Sequence, residues 1–310
     1  MIRPSRVRHL TAVPSQPMSA EPRPVVEARG VGVRYGSRWS LVDCNLQIPA
    51  GAVVAVVGRN GAGKSTLLHV LAGLQRPSSG SVSVLGEASW PASGRMLSRI
   101  GFVGQERPLY QALRVRDLLR MGQRLNPYWD QRYAVERLED RAIPVDERVR
   151  RLSRGQQTQV ALVMALAKRP ELLILDEPLA DLDPVARRDV MGTVMLELAE
   201  RNVTVVMASH SLADLTRACD WLIILDRGRV RVAASVETLL ADHRIVIGPT
   251  ALADRVVRDA VVAQYRGERS SVLLVASNDA VSEQDPRWQR REPTVEDIVF
   301  AHLRSAREMP

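Results

Sequence analysis

The sequence predicts an α/β fold that is built on a parallel β-sheet. Short apolar runs recur along the chain and alternate with longer segments of helical pattern, which is the arrangement of βαβ units. One apolar run, Val53–Val57, leads directly into a glycine-rich turn and a helix, and another, Leu172–Leu175, ends in two adjacent carboxylates. Because the carboxyl ends of parallel strands share one edge of a sheet, we expect the turn and the carboxylates to lie side by side.

The glycine-rich turn carries a phosphate-binding pattern. Residues 58–66 read Gly-Arg-Asn-Gly-Ala-Gly-Lys-Ser-Thr and match G-x-x-x-x-G-K-[ST] between a strand and a helix. In this pattern backbone N–H groups surround the phosphates of a nucleotide, Lys64 reaches the terminal phosphates and the Ser65 hydroxyl holds Mg²⁺. A turn that matches by chance is the alternative, and the flanking strand and helix argue against it. The pattern predicts a P-loop NTPase core that binds a nucleoside triphosphate through Gly58, Asn60, Gly61, Gly63, Lys64, Ser65 and Thr66.

The two carboxylates at the end of the later strand provide the second part of the chemistry. Asp176 is expected to lie beside the phosphate loop (residues 58–66) and to bind Mg²⁺ directly or through a water. Glu177 points in a different direction and can accept a proton from an attacking water. Ordinary surface acids at a strand end are the alternative, which the upstream phosphate loop disfavours. Asp176 is therefore the candidate metal ligand and Glu177 the candidate general base.

The order of the elements divides the chain into a leader, a nucleotide-binding domain and a tail. Residues 1–24 mix proline and arginine without hydrophobic periodicity, which predicts a disordered leader in which Met1 and Met18 are both candidate start residues. The domain, residues 25–240, is expected to contain an antiparallel β subdomain and a helical insertion over about residues 108–170. The elements expected in it are strands at 25–35, 41–48, 53–57, 81–85, 99–103, 172–175, 203–208 and 221–225, and helices at 63–72 and 184–200. The tail, residues 244–310, is expected to form a small α+β extension with strands at 244–247 and 271–276 and helices at 251–260 and 293–300.

Composition and charge indicate a cytosolic protein without a nucleic-acid partner. The formal net charge is +8, but the basic residues are almost all arginine and are interleaved with acidic residues, which is typical of a solvated surface. Cys44 and Cys219 lie far apart and lack metal-ligand spacing, so we expect reduced, buried thiols. No apolar stretch approaches the roughly 18 residues that span a bilayer.

Further motifs follow in an order that resembles the ABC transporter ATPases. Residues 152–156, Leu-Ser-Arg-Gly-Gln, resemble the signature segment of that family, and residues 180–183 stand at its D-loop. Gln105 is placed like the glutamine loop, His210 like the switch histidine that senses the γ-phosphate, and Tyr35 like the aromatic residue on which adenine stacks. The resemblance covers about residues 25–240. It implies ATP and Mg²⁺ as ligands, with Gln105 touching Mg²⁺ and the attacking water and with Ser153, Gly155 and Gln156 closing over the ATP of a partner chain.

The resemblance also implies what the chain assembles with. Members of the family pair head to tail, here with an identical or a related chain, and dock on a separate multi-span membrane permease. Residues 107–119 would form part of the docking groove, which implies a cytoplasmic protein at the inner face of the cell membrane. A soluble ABC ATPase that acts on nucleic acid or ribosomes is the alternative. The single cassette, and the lack of an inserted coiled coil or cysteine cluster in the sequence, disfavour it.

Some segments indicate a branch of the family, and some positions depart from its pattern. Residues 126–130, Asn-Pro-Tyr-Trp-Asp, and residues 293–300 resemble the bacterial drug- and antibiotic-export branch, which implies export. Arg154 stands where many members have glycine, Gln159 replaces a basic residue, and residues 179–181 replace small polar and glycine residues. These departures spare the catalytic side chains, so we expect an active ATPase. They bear on the contacts across the dimer interface.

Overall fold

The computed structural model of the chain describes residues 24–106, 109–209, 219–253, 256, 260–276 and 286–305. His210, Arg107 and residues 1–23 of the expected leader lie outside the described residues. The described strands are β1 (Val26–Tyr35), β2 (Arg38–Ile48), β3 (Val53–Gly58), β4 (Ser79–Val84), β5 (Glu87–Ala88), β6 (Ile100–Val103), β7 (Leu172–Asp176), β8 (Thr204–Ala208), β9 (Trp221–Asp226), β10 (Arg229–Ser235), β11 (Arg244–Pro249), β12 (Val261–Arg266), β13 (Ser270–Val275) and β14 (Gln289–Arg291). The described α-helices are α1 (Lys64–Leu71), α2 (Gly94–Ser98), α3 (Val115–Leu125), α4 (Gln131–Asp140), α5 (Arg154–Leu166), α6 (Pro184–Arg201), α7 (Val236–Asp242), α8 (Thr250–Ala253) and α9 (Val295–Ser305).

The central sheet has six strands in the order β10-β9-β3-β8-β7-β6. Strands β9, β3, β8, β7 and β6 run parallel, and β10 pairs antiparallel with β9. Strand β8 joins β3 to β7, because Ala208 is the register partner of both Val56 and Asp176. The phosphate loop after β3 and the acid pair at the end of β7 therefore share one edge of the sheet, which confirms the predicted P-loop NTPase core.

The apolar runs of the central strands follow from burial on both faces of the sheet. Strands β7 and β8 are buried along their whole length, as is typical of parallel sheets covered by helices on both sides. In β3 the side chains alternate: Ala55 and Val57 belong to one apolar core, and Val54 and Val56 belong to another. A continuous apolar run is therefore the sequence pattern that this strand requires.

The second core lies between the central sheet and a four-stranded antiparallel sheet in the order β2-β1-β4-β5. Helix α1 contributes the fully buried Leu67 and Leu68 to this core. The packing fixes α1, and with it the phosphate loop at its N-terminus, against both sheets. The expected antiparallel β subdomain is thus confirmed.

The insertion between β6 and β7 is helical, with α3, α4 and α5 packed in the first core. A buried tyrosine on α4, Tyr133, connects the insertion to α6. The guanidinium groups of Arg137, Arg169 and Arg201 lie 4.8–5.3 Å from the centre of its ring, and Arg201 also pairs with the buried Glu197 on α6 at 3.3 Å. This cationic cluster ties the insertion to α6.

The tail forms a four-stranded antiparallel sheet in the order β12-β13-β11-β14. It has a small core of its own around Trp288, while Ile298 and Val299 of α9 enter the first core together with Leu239 of α7. Within the described residues, no helix combines the length and apolarity needed to cross a bilayer.

Several elements differ from the sequence predictions. The helix expected over residues 251–260 is described as helical only up to Ala253, and residues 261–266 form an unpredicted strand. This strand joins β13 in a hairpin whose turn is closed by Gly267 N donating to the Ser270 carbonyl oxygen at 3.0 Å. Cys44 is buried as expected, but Cys219, two residues before β9, is only half-buried, and both thiols are free.

Candidate nucleotide site

An open cavity of about 740 Å³ lies at the carboxyl edge of the central sheet. The phosphate loop forms one wall, the end of the hairpin between β1 and β2 forms a second, and the segment after β7 forms a third. The residues that line it are Tyr35, Arg38, Trp39, Ser40, Asn60, Gly61, Ala62, Gly63, Lys64, Ser65, Thr66, Gln105, Glu177, Ala180 and Asp181. The structure thus brings together most of the residues that the sequence assigned to one nucleotide.

Two glycines of the phosphate loop are required by its geometry. Gly63 precedes α1 with φ +105°, and a Cβ added to it would lie 2.7 Å from the Ser40 carbonyl oxygen. A Cβ on Gly58 would lie 2.4 Å from the carbonyl oxygen of Leu225 on β9. Any side chain at either position would displace neighbouring backbone, so the tight turn around the cavity depends on these glycines.

Lys64 is buried, with 8% of its surface exposed. Its ammonium donates to the carbonyl oxygen of Gly58 at 3.0 Å and lies 3.9 Å from Glu177 Oε1. A buried ammonium requires hydrogen-bond acceptors, and these groups provide them within the loop and across to the end of β7. The cation is therefore held at the floor of the cavity, where a phosphate would enter.

The Asp176 side chain is 2% exposed and lies under the phosphate loop. Burial raises the pKa of its carboxyl group, while a hydrogen bond with the Ser65 side chain acts in the opposite direction. Within the described part of the chain, Asp176 Oδ1 has no hydrogen-bond partner. A buried, unpartnered carboxylate oxygen next to a serine hydroxyl is a set of oxygen donors suited to a hard divalent cation.

Glu177 adopts a left-handed backbone conformation, with φ +50°. Such a conformation is uncommon for a residue other than glycine, and it directs the chain sharply away from β7. The Glu177 N–H donates to the Ala208 carbonyl oxygen at 3.1 Å, so β8 anchors the turn. As a result, the Glu177 side chain lines the cavity while the preceding Asp176 side chain is buried beneath it.

The signature segment (residues 152–156) lies outside this cavity. Ser153 is the N-cap of α5: its hydroxyl accepts from the Gln156 N–H at 3.2 Å, and the Ser153 N–H donates to Gln156 Oε1 at 3.0 Å. Ser153, Gly155 and Gln156 instead line a separate cavity of about 210 Å³ beside the start of α6. The structure therefore does not bring these three candidate residues to the nucleotide cavity of their own chain.

Comparisons with known proteins identify the family. A family model described as ABC transporter matches residues 41–180. The aliphatic sulfonates import ATP-binding protein SsuB 2 of Pseudomonas aeruginosa is 37% identical over 67% of this chain and 74% of its own length. The Fe(3+) ions import ATP-binding protein FbpC of Pseudomonas fluorescens is 34% identical over 82% of this chain and 69% of its own length. The chain belongs to the ABC transporter ATPases.

A third relative of this ABC transporter ATPase is matched over less of its own length. The molybdenum import ATP-binding protein ModC of Paramagnetospirillum magneticum is 35% identical over 64% of this chain, and the match spans 57% of the relative. All three relatives are named for import. These relatives thus give no support to the export branch that residues 126–130 and 293–300 led us to expect.

Solved structures of ABC cassettes share the fold. A dimeric ATP-binding cassette bound to ADP and phosphate in a post-hydrolysis state superposes with a TM-score of 0.61, at 24% identity, over 68% of this chain and 98% of the other. CbiO1 of Clostridium perfringens, part of the ABC transporter complex cbiONQ, superposes with a TM-score of 0.60, at 27% identity, over 71% and 92%. The described fold is that of an ABC ATPase cassette.

The cavity of this ABC ATPase also contains residues that sequence reasoning missed. Trp39 and Arg38 at the start of β2 line it, and Ser40 Oγ lies 2.8 Å from Thr66 Oγ1. Tyr35, which was predicted, is 52% exposed, and Trp39 is 45% exposed. A tryptophan four positions after the candidate tyrosine was the sequence signal that could have revealed this second aromatic surface.

Proposed function

We propose that this chain is the ATP-hydrolysing motor subunit of an ABC transporter and that it works as a head-to-tail dimer on a separate membrane permease. One observation carries the proposal. The phosphate loop, Gln105 and Glu177 line one cavity, whereas the signature segment lies outside it. A nucleotide in that cavity is left open on one side, and the signature segment of a second chain is the element that the family resemblance supplies to close it.

In the proposed site each side chain has a distinct task. Tyr35 stacks on the adenine, and the phosphate loop surrounds the phosphates with its N–H groups and the Lys64 ammonium. Glu177 accepts the proton of a water that attacks the γ-phosphorus, and ADP leaves as the bond to the bridging oxygen breaks. Gln105 orients that water, and His210, which lies outside the described residues, remains the proposed sensor of the γ-phosphate.

Mg²⁺ is the proposed metal of this site. The buried Asp176 Oδ1, which has no hydrogen-bond partner in the described part of the chain, and the adjacent Ser65 hydroxyl fit its preference for oxygen ligands. Ser65, Asp176 and Gln105 would hold the ion. When bound, it neutralises negative charge on the terminal phosphates of ATP.

The proposed membrane partner and location are supported by the family assignment. We propose a multi-span permease that docks beside residues 107–119, with this chain on the cytoplasmic face of the membrane as the domain of residues 25–240 and its extension of residues 244–310. The second ATP-binding subunit is either an identical or a related chain. No described feature favours the soluble alternative.

An affinity pull-down of the full chain from detergent-solubilised native membranes tests this proposal. A multi-span membrane protein should co-elute, and the eluate should hydrolyse ATP. A Lys64→Ala chain is the matched control, which should recover the same partner without the ATPase activity because it keeps the docking surface and loses the phosphate-binding cation. Recovery with ribosomes or nucleic acid, and without a membrane protein, would overturn the proposal.

A further inference from the structure

An ion pair links two of the positions at which this chain departs from the pattern of its family. Arg154 Nη1 donates to Asp181 Oδ2 at 2.8 Å. Arg154 is the first residue of α5, directly after Ser153, and Asp181 lies in the D-loop (residues 180–183) before α6. The two departures therefore meet in space, although 27 residues separate them in sequence.

The pair lies between the signature segment and the nucleotide cavity. Asp181 lines that cavity, whereas Arg154 belongs to the segment that lies outside it. The side chains are 68% and 67% exposed, so the ion pair contributes little to the stability of the chain. Asp181 also has φ +60°, a left-handed conformation that aspartate and asparagine adopt more readily than other residues that carry a side chain. Stability alone does not account for this arrangement.

Two backbone donors next to Arg154 are already engaged at the start of their own helix. The Gln156 N–H donates to the Ser153 hydroxyl, and the Ser153 N–H donates to the Gln156 side chain. Among these neighbours, Arg154 carries the charged donor, and its guanidinium can bind a phosphate through two hydrogen bonds. A γ-phosphate carries more negative charge than the Asp181 carboxylate, so it competes effectively for this cation once water is excluded.

We propose that Arg154 binds the γ-phosphate of the partner chain's ATP and that Asp181 holds Arg154 until the two chains close. This inference rests on the proposed head-to-tail dimer. In the open chain Asp181 neutralises Arg154, and closure exchanges the carboxylate for the phosphate. Asp181 therefore opposes dimer formation, and Arg154 promotes it.

The test measures the dimer dissociation constant of the full-length Glu177→Gln chain in saturating ATP and Mg²⁺ by sedimentation. Arg154→Gln should weaken the dimer by about tenfold or more, because a charge-assisted contact to phosphate is lost. Asp181→Asn should strengthen it several-fold, since asparagine accepts the left-handed backbone but no longer holds the arginine. In the Arg154→Gln background, Asp181→Asn should have no effect.

The two single substitutions are therefore expected to change the dimer dissociation constant in opposite directions. If the ion pair were only structural, both substitutions would weaken the dimer. An unchanged dimer dissociation constant for Arg154→Gln would overturn the inference but not the proposed dimer. A gain from Asp181→Asn that persists without Arg154 would also overturn it, because Asp181 would then act directly on the nucleotide in its own cavity. No ATP-dependent dimer in the parent Glu177→Gln chain would overturn the proposed pairing together with the inference.

Discussion

The ammonium of Lys64 lies 3.9 Å from Glu177 Oε1, and both side chains are buried at the edge of the central sheet. Lys64 also donates to the Gly58 carbonyl oxygen at 3.0 Å, so the cation is held between the end of β3 and the residue after β7. A γ-phosphate would offer this cation a stronger acceptor than a backbone carbonyl. The pair joins the residue proposed to bind phosphate to the residue proposed to activate water.

Glu177→Gln is expected to separate binding from hydrolysis. The amide has nearly the same volume as the carboxylate but cannot take up the proton of an attacking water, so ATP turnover should fall by roughly 10²-fold or more. Lys64 keeps its hydrogen bond to Gly58, and ATP should remain bound and trap the dimer. Phosphate release at saturating ATP, together with sedimentation in ATP, measures both effects.

Glu171→Gln is the matched control for that substitution. Glu171 precedes the opposite end of the same strand, β7, and forms an exposed ion pair with Arg99 at 2.6 Å, away from the nucleotide cavity. Turnover in this variant should equal that of the parent chain. Near-parental turnover in Glu177→Gln would show that another group accepts the proton.

Tyr35→Ala is expected to weaken ATP binding and leave the binding of tripolyphosphate unchanged. The tyrosine ring is half-exposed at the cavity, where it can stack on the base, and stacking of a base on an aromatic ring contributes about 1–3 kcal/mol. The dissociation constant for ATP should therefore rise by about tenfold. Isothermal titration calorimetry with the two ligands measures the difference.

Trp39→Ala serves as the comparison, because Trp39 is a second exposed ring at the same cavity and is partly covered by Arg34 at 5.6 Å. We expect a smaller loss of ATP affinity than in Tyr35→Ala. A larger loss in Trp39→Ala would instead assign the adenine to Trp39, and equal losses for ATP and tripolyphosphate would exclude stacking as the cause.

The parts of the molecule that local sequence determines were the parts that could be predicted. The phosphate loop needs glycine at particular backbone positions. Asp183 followed by Pro184 is a typical helix start, and in the structure the Asp183 carboxylate caps α6 by accepting from the Val185 and Ala186 N–H groups. These signals depend on the chain over a few residues. The resulting elements therefore appear where the sequence places them.

The parts that depend on distant neighbours could not be predicted in the same way. Strand β12 is half-buried along most of its length, so it lacks the alternation that marks a strand, and it is defined by its pairing with β13. The ion pair between Arg154 and Asp181 likewise required the fold.

The stability of the chain is expected to fall as the pH drops below about 6.5. His302 Nε2 lies 3.4 Å from His243 Nε2 between α9 and α7. Burial, together with His243 and Arg231, lowers the pKa of His302 to about 4, and burial lowers the pKa of His243 despite the Leu239 carbonyl and Asp242. The unfolded chain therefore binds protons at a pH where the folded chain does not. For His302 alone the loss is about 2 kcal/mol near pH 5.

Thermal unfolding of the full chain at about pH 7.5 and pH 5 measures this dependence. His302→Leu removes the titrating group and keeps an apolar side chain at the interface, so the difference between the two pH values should become smaller. The same difference in the parent and in the variant would exclude His302 as its source.

Ile298→Ala is expected to show that the tail is part of the folded cassette. Ile298 on α9 is fully buried in the core that also contains Leu239 and Leu222, and removal of such a side chain costs about 2–5 kcal/mol. Phe300, on the same helix, is 51% exposed, so Phe300→Ala should cost less than about 1 kcal/mol. Urea unfolding of the two full-length variants measures both values.

This pair of substitutions separates a packing role of the tail from a regulatory role more cleanly than deletion of the tail does. Deletion of residues 244–310 would expose the apolar face that α9 covers, and a loss of activity would then follow from unfolding alone. If Ile298→Ala lowers stability while its ATP turnover, measured well below its unfolding temperature, equals that of Phe300→Ala, the tail stabilises the cassette. Equal stability losses in the two variants would contradict the packing of α9, and a loss of turnover in Phe300→Ala alone would indicate a regulatory surface.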